Sequence, residues 1–243
     1  MQKELSEKSS VNQIRERFDS DVERFSNLET GQAATIDAPL SMELITEAAI
    51  AATPNISRIL DIGCGAGNNS LKLVRSYHGR FSCDFCDVSV PMLERAKQRL
   101  SLEEIDEIRL FHGDFREISF DEESYDVIMA AAVLHHLRDD DDWKTAFQKI
   151  YDLLRPGGSF WITDLVTQES KVIHELMWNR YGDYLEKLGG IEYREKVFEY
   201  IEMEDSPRPL TFQLDLMREV GFEFVEVLHK NSCFAAFGGI KGK

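Results

Sequence analysis

The sequence predicts an α/β fold built on a mostly parallel sheet with helices on both faces. Short β-branched and apolar runs alternate with helical patterns through the first half of the chain, the order that produces such sheets. One of these runs, Tyr125–Ala131, is apolar on both faces, as a central strand must be. A length of 243 residues, 43% of them hydrophobic, suits one domain of this kind with an embellishment.

The first strand is Arg58–Ile62, and the helix after it carries Leu71, Val74 and the Leu73/Tyr77 pair at helical spacing. A second strand is expected over 81–86. Ser89 then stands as an N-cap and Pro91 in a first helical turn, with Met92, Ala96 and Leu100 along one face. Ile108–His112 and Tyr125–Ala131 are the third and fourth strands. Trp143, Phe147, Ile150 and Leu154 mark a helix that Pro156-Gly157-Gly158 is expected to stop, with a fifth strand at 159–164. Residues 168–203 differ in kind, being long, helical, aromatic-rich and acidic, with a break at Gly189-Gly190. Another helix ends at Gly221, and 222–228 and 233–238 have the spacing of a hairpin. The tail 239–243 and the first ten residues are expected to fray.

Charge and cysteine usage narrow the function. The 28 basic and 44 acidic residues give a formal charge of −16, a field that repels phosphate backbones, so non-specific nucleic-acid binding is not expected. No apolar run reaches membrane-spanning length, and the amino end Met1-Gln2-Lys3-Glu4-Leu5-Ser6-Glu7 lacks a signal peptide's apolar core. A cytoplasmic protein without membrane contact is the expectation. The cysteines are Cys64, Cys83, Cys86 and Cys233. Cys83 and Cys86 share a strand, where residues three apart point to opposite faces, and no second pair completes a zinc set. Asp139-Asp140-Asp141-Asp142 directly precedes an amphipathic helix, where acids favour the positive end of the dipole. No metal is expected.

The chemistry concentrates where the first strand ends, in Ile59-Leu60-Asp61-Ile62-Gly63-Cys64-Gly65-Ala66-Gly67, with Asp87 closing the second strand. Glycine is needed where backbone turns tightly and approaches a ligand with no Cβ in the way. The following helix start offers unpaired N–H groups, and the later carboxylate is placed to accept from a ribose. A nucleoside-bearing cofactor fits this pattern. The dinucleotide fingerprint would need a third glycine where Asn68 stands.

The run Asp61-Ile62-Gly63-Cys64-Gly65-Ala66-Gly67 resembles the first motif of the class I S-adenosylmethionine-dependent methyltransferases. Gly113-Asp114-Phe115 resembles the family motif that meets the adenine, and Ala132-Val133-Leu134-His135-His136-Leu137 the ending that borders the reactive methyl group. The resemblance covers roughly 56–164 with good motifs and the closing hairpin more loosely. It implies a Rossmann-like, seven-stranded, mostly parallel sheet with an antiparallel last strand, and a helical insertion before the final hairpin.

It further implies a single methyltransferase domain over 1–243: an N-terminal helical lid (1–50), a cofactor-binding core (56–165), a helical substrate cap (166–210) and a closing helix and hairpin (211–240). S-adenosyl-L-methionine is then the cofactor, held by Asp61, Gly63, Gly65, Gly67, Asp87, Val88, Met92, Asp114, Phe115, Ala131 and Leu134. The acceptor is expected to be a small molecule, and a homodimer is left open. Candidates for a base are His135, His136 and Tyr181. Trp178, Tyr181 and Tyr184 share one helical face in the cap, and the segment from Ile14 to Phe25 resembles a leading helix that closes over the cofactor. The last third also resembles, more distantly, the carboxy-S-adenosylmethionine synthase of tRNA wobble-uridine modification. That synthase uses an arginine in the charged helix, where this chain aligns Phe198 or Glu199, with Arg194 nearby.

Overall fold

Seven strands form one sheet in a computed structural model that describes residues 7–27 and 31–243. They are β1 (Arg58–Ile62), β2 (Ser82–Asp87), β3 (Ile108–His112), β4 (Tyr125–Ala131), β5 (Leu154–Leu165), β6 (Phe222–Asn231) and β7 (Phe234–Lys241). The helices are α1 (Val11–Ser20), α2 (Val22–Ser26), α3 (Ala38–Ala52), α4 (Asn68–Ser76), α5 (Val90–Leu100), α6 (Asp140–Leu153), α7 (Lys171–Glu204) and α8 (Leu210–Val220). The sheet order is β3-β2-β1-β4-β5-β7-β6. Strands β1 to β5 pair in parallel, and β7 runs antiparallel between β5 and β6. The Rossmann-like, seven-stranded class expected from the resemblance is the one observed.

Alternation along each strand feeds two cores. Leu60, Ile62, Ile128, Ala130, Phe160 and Ile162 pack with Trp143, Phe147 and Ile150 of α6 and with Met217 of α8. Ile59, Val127, Met129 and Trp161 face the other way, onto α3, α4 and α5. Cys83 joins this second face and Cys86 the first, as their spacing requires. All four cysteines are buried free thiols. The central strands β1 and β4 are covered on both faces, which explains why apolar residues dominate them.

Four expectations are corrected. Pro156-Gly157-Gly158 does not stop α6, which ends at Leu153; β5 begins at Leu154 and the three residues form an irregularity within it. There Gly157 takes φ +79°, and a Cβ on Gly158 would lie 3.0 Å from the Asp126 carbonyl. These glycines serve a bulge rather than a helix stop. Residues 239–241 do not fray, because Gly239 and Ile240 pair with β5 on one side and β6 on the other. The hairpin is also longer than expected, reaching Asn231 in β6. At the amino end residues 1–6 lie outside the described residues, but Ser10 caps α1 through a reciprocal bond with Gln13, and Ser9 N–H donates to the Met203 carbonyl at 2.9 Å.

The long helix α7 breaks at Gly190 (φ +83°, ψ 179°) and its second half folds back. Trp178 stacks on Phe198 across that fold at 5.1 Å, and Tyr181 packs against both Phe198 and Phe234. The segment 7–27 lies across the ends of β1 and β2. Ser89 Oγ donates to Asp19 at 2.6 Å, and Asn68 Nδ2 donates to the Phe25 carbonyl at 3.0 Å. Helix α3 packs on the sheet instead, with Ile45 and Ala49 fully buried.

Candidate functional site

At the carboxyl ends of β1 to β4 the chain encloses a cavity of about 210 Å³. Its floor is the glycine turn after β1. Gly63, Gly65 and Gly67 take φ +60°, +50° and +77°, the left-handed region where side chains are strained. A Cβ on Gly63 would stand 2.4 Å from Val133, whereas one on Gly65 would meet nothing within 4 Å, because that position opens onto the cavity. The N–H groups of Gly63 and Cys64 both donate to the Cys86 carbonyl, at 2.8 and 3.2 Å, tying the turn to β2.

Asp87 holds the turn from the next strand. One carboxylate oxygen accepts from Gly65 N–H at 2.9 Å and the other from Ser89 N–H at 2.8 Å. Burial pushes its pKa up, while these two donors oppose the shift. Val88 and Met92 wall the same cavity. Across it, Asp114 and Phe115 follow β3. Burial works against ionising Asp114, but the Arg116 guanidinium, bonded at 2.6 Å, holds its pKa below the usual carboxylate range. Lys149 Nζ donates to the carbonyls of Phe115, Arg116 and Ile118 at 2.7, 3.1 and 2.6 Å, locking this loop.

Ala131 and Leu134 border the cavity where β4 ends. Between them Ala132 takes φ +54°, a strained position for a residue with a Cβ. Asp61 is placed differently from the wall residues. It is buried beneath the turn and accepts from Ser70 Oγ at 2.6 Å, while its Oδ1 has no hydrogen-bond partner among the described residues. Burial raises its pKa to about 7. Gly67 also lies off the wall, with its Cα against Ala96. The other nine expected cofactor residues come together here: Gly63, Gly65, Asp87, Val88, Met92, Asp114, Phe115, Ala131 and Leu134.

A second cavity of about 500 Å³ adjoins the first and shares Phe18, Phe25, Gln32, Asn69 and Ala132 with it. Thr163 and Asp164 of β5 form one side, and Tyr181, Tyr193 and Tyr200 of α7 another. Of the three cap aromatics expected to face an acceptor, Tyr181 alone lines it. Trp178 stacks on Phe198, and Tyr184 donates to the Ala33 carbonyl at 2.8 Å. Tyr193 and Tyr200 were not singled out from sequence, because the fold-back at Gly190 is what brings them in. Arg17 bridges α1 and α7, bonding Glu204 at 2.8 Å and the Tyr200 hydroxyl at 2.7 Å.

The three candidate bases separate. Tyr181 is a buried phenol whose burial pushes its pKa up, so it stays protonated at neutral pH. His135 lies on the second cavity and bonds Asp164 through Nδ1. Burial opposes its protonation, yet the Asp205 and Asp164 carboxylates prevail and raise its pKa to about 9. His136 lines the first cavity, with Phe18 edge-on at 6.2 Å. Asp139 caps α6 and Asp140 to Asp142 occupy its first turn, as expected.

A parallel sheet in this strand order, with a glycine turn and three following loops converging on one cavity, defines the class I S-adenosylmethionine-dependent methyltransferases. Residues 59–158 match the family model described as a methyltransferase domain. The demethylmenaquinone methyltransferase of Listeria monocytogenes is 22% identical over 77% of this chain and 79% of its own length. The carboxy-S-adenosyl-L-methionine synthase of Helicobacter pylori is 26% identical over 71% of this chain and 70% of its own. The apo structure of the S-adenosylmethionine-dependent methyltransferase SibL shares the fold, with a TM-score of 0.58 at 18% identity. That match covers 85% of this chain and 56% of SibL. No described helix is long and apolar enough to cross a membrane.

Proposed function

We propose that this protein transfers a methyl group from S-adenosyl-L-methionine to a small-molecule acceptor held in the larger cavity. The observation that carries the reading is the pair of adjoining cavities, joined at Ala132, Asn69 and Phe18 beside the end of β4. The bound sulfonium supplies an activated methyl and leaves as a neutral thioether, so the protein's work is alignment. Gly65 lets backbone come close to the cofactor, Asp87 offers its remaining lone pairs to the ribose, and Val88, Met92 and Phe115 flank the adenine. Asp114 accepts from the adenine amino group when Arg116 gives way. The lid residue Phe18 and the cap tyrosines exclude water from the transferring methyl. Aromatic walls suit a planar or apolar acceptor.

The second reading is a carboxy-S-adenosylmethionine synthase or a related tRNA-modification enzyme, favoured by the Helicobacter pylori relative. Against it, Arg194 pairs with Glu186 at 3.2 Å and packs on the Phe198 ring, and it lines neither cavity. Mass spectrometry of ligand retained by the purified protein separates the readings. S-adenosylmethionine or its demethylated product is the expected ligand, an added carboxylate would favour the synthase, and a nicotinamide dinucleotide would overturn both.

A further inference from the structure

Asp164, His135, His136 and Asp205 meet at the seam between the two cavities, a cluster that methyl transfer as described does not use. Asp164 is fixed by backbone, accepting from His135 N–H at 3.1 Å and Leu165 N–H at 2.7 Å, and its carboxylate also takes His135 Nδ1. That bond orients the ring and leaves Nε2 facing Asp205, where a bound ion would take the place of the ring's second proton. Asp205 Oδ1 stands 3.6 Å from Nε2, beyond a hydrogen bond. The same oxygen lies at ion-pair distance, 3.2 Å, from His136 Nδ1, which also meets the Glu204 carbonyl at 3.4 Å, and it has no hydrogen-bond partner among the described residues. The Asp205 side chain is 3% exposed, and a buried carboxylate oxygen left unsatisfied is costly.

We propose that His135 Nε2, His136 Nδ1 and a carboxylate oxygen of Asp205 bind one divalent transition-metal ion of the zinc type, with a fourth position open toward the acceptor cavity. Ligands on a tetrahedral zinc with arms of about 2.1 Å stand roughly 3.4 Å apart. The two histidine–carboxylate separations of 3.2 and 3.6 Å bracket that value, and one ligand atom from each of the three residues lies within 4.8 Å of the other two. Two imidazoles and one carboxylate suit zinc, cobalt or nickel better than magnesium or calcium. The Asp164–His135 bond is the outer carboxylate that orients metal-binding histidines. His135 and Asp205 wall the acceptor cavity and His136 the cofactor cavity, so the open position lies between donor and acceptor. On the methyl-transfer reading, an acceptor oxygen or sulfur bound there gives up its proton more readily; binding of the ion itself does not depend on that reading. The site departs from the expectation of no metal because Asp205 is remote in sequence, at the end of α7.

The test uses chelator-treated full-length protein without cofactor, titrated with Zn²⁺ by calorimetry and with Co²⁺ by its visible absorption. One ion per chain and the intense band of tetrahedral Co²⁺ are expected. His136→Gln and Asp205→Asn each weaken Zn²⁺ binding by about 100-fold or more, and Asp164→Asn by about 10- to 100-fold. Circular dichroism checks that each variant folds, and His136→Gln, at a partly exposed position, keeps the test decisive if Asp205→Asn does not. Folded wild-type protein that binds no stoichiometric Zn²⁺, or undiminished binding in His136→Gln, overturns the proposal. S-adenosylmethionine binding is measured separately, so failure of the metal site and failure of the methyl-donor reading give different results.

Discussion

Asp87 has two tasks, and its substitution separates them. Its oxygens already accept from Gly65 and Ser89, so Asp87→Ala removes a cofactor contact and also loosens the glycine turn. Calorimetry is expected to show S-adenosylmethionine binding weakened by about 2–3 kcal/mol, the range for hydrogen bonds to a charged group. Asp61 sets a pH dependence instead. Its pKa rises from 3.8 unfolded to about 7 folded, chiefly through burial, so the native state holds the proton longer than the unfolded chain does. This contribution therefore favours folding at low pH and is lost as pH climbs from about 4 through 7. Melting curves across that window should show wild type losing stability relative to Asp61→Asn as pH rises. A constant difference between the two would mean that Asp61 is ionised throughout.

Helices α1 and α7 are two elements clasped by one side chain. Arg17 of α1 reaches Glu204 and Tyr200 at the far end of α7, and its guanidinium lies 4.2 Å over the rings of both Phe18 and Tyr200. In α1 and α2 Ile14 is the one buried residue, so the segment 7–27 buries little apolar surface and belongs to the less stable part of the molecule. Hydrogen exchange is expected to slow at residues 12–26 and 172–186 when S-adenosylmethionine binds. Arg17→Ala should abolish that gain at 12–26 while leaving the glycine turn protected. Protection confined to the glycine turn and Asp87 in wild type would leave both segments as packing elements only.

For the molecule as a whole, a ligand that binds only the native state stabilises it by mass action. S-adenosylmethionine at 100 times its Kd should contribute about 2.7 kcal/mol, raising the Tm by several degrees in a chain of this size. The demethylated product should act alike, and NADH should not. The charge of −16 keeps phosphate polymers away from the surface, so added DNA is expected to leave the Tm unchanged.

Local chemistry made most of the core legible. β1, β3 and β4 have the bounds expected of them, and in β1 and β4, central and buried on both faces, apolar residues dominate. The turn at Gly63, Gly65 and Gly67 was readable because positive φ selects glycine at each position. What pairing decides was not readable in the same way. Pro156-Gly157-Gly158 looks like a helix stop until β4 pairs with Leu154, and 239–241 look like a loose tail until β5 and β6 close on both sides. The second cavity depends on a fold-back at Gly190 that brings Tyr193 and Tyr200 beside the lid. Asp205 is an unremarkable acid in the sequence, and only the packing of α7 carries it to His135 and His136. The sequence by itself determined the sheet and the glycine turn, since each rests on neighbours a few residues apart. The tertiary structure alone decided the second cavity and the seam cluster, because their walls come from segments far apart in the chain.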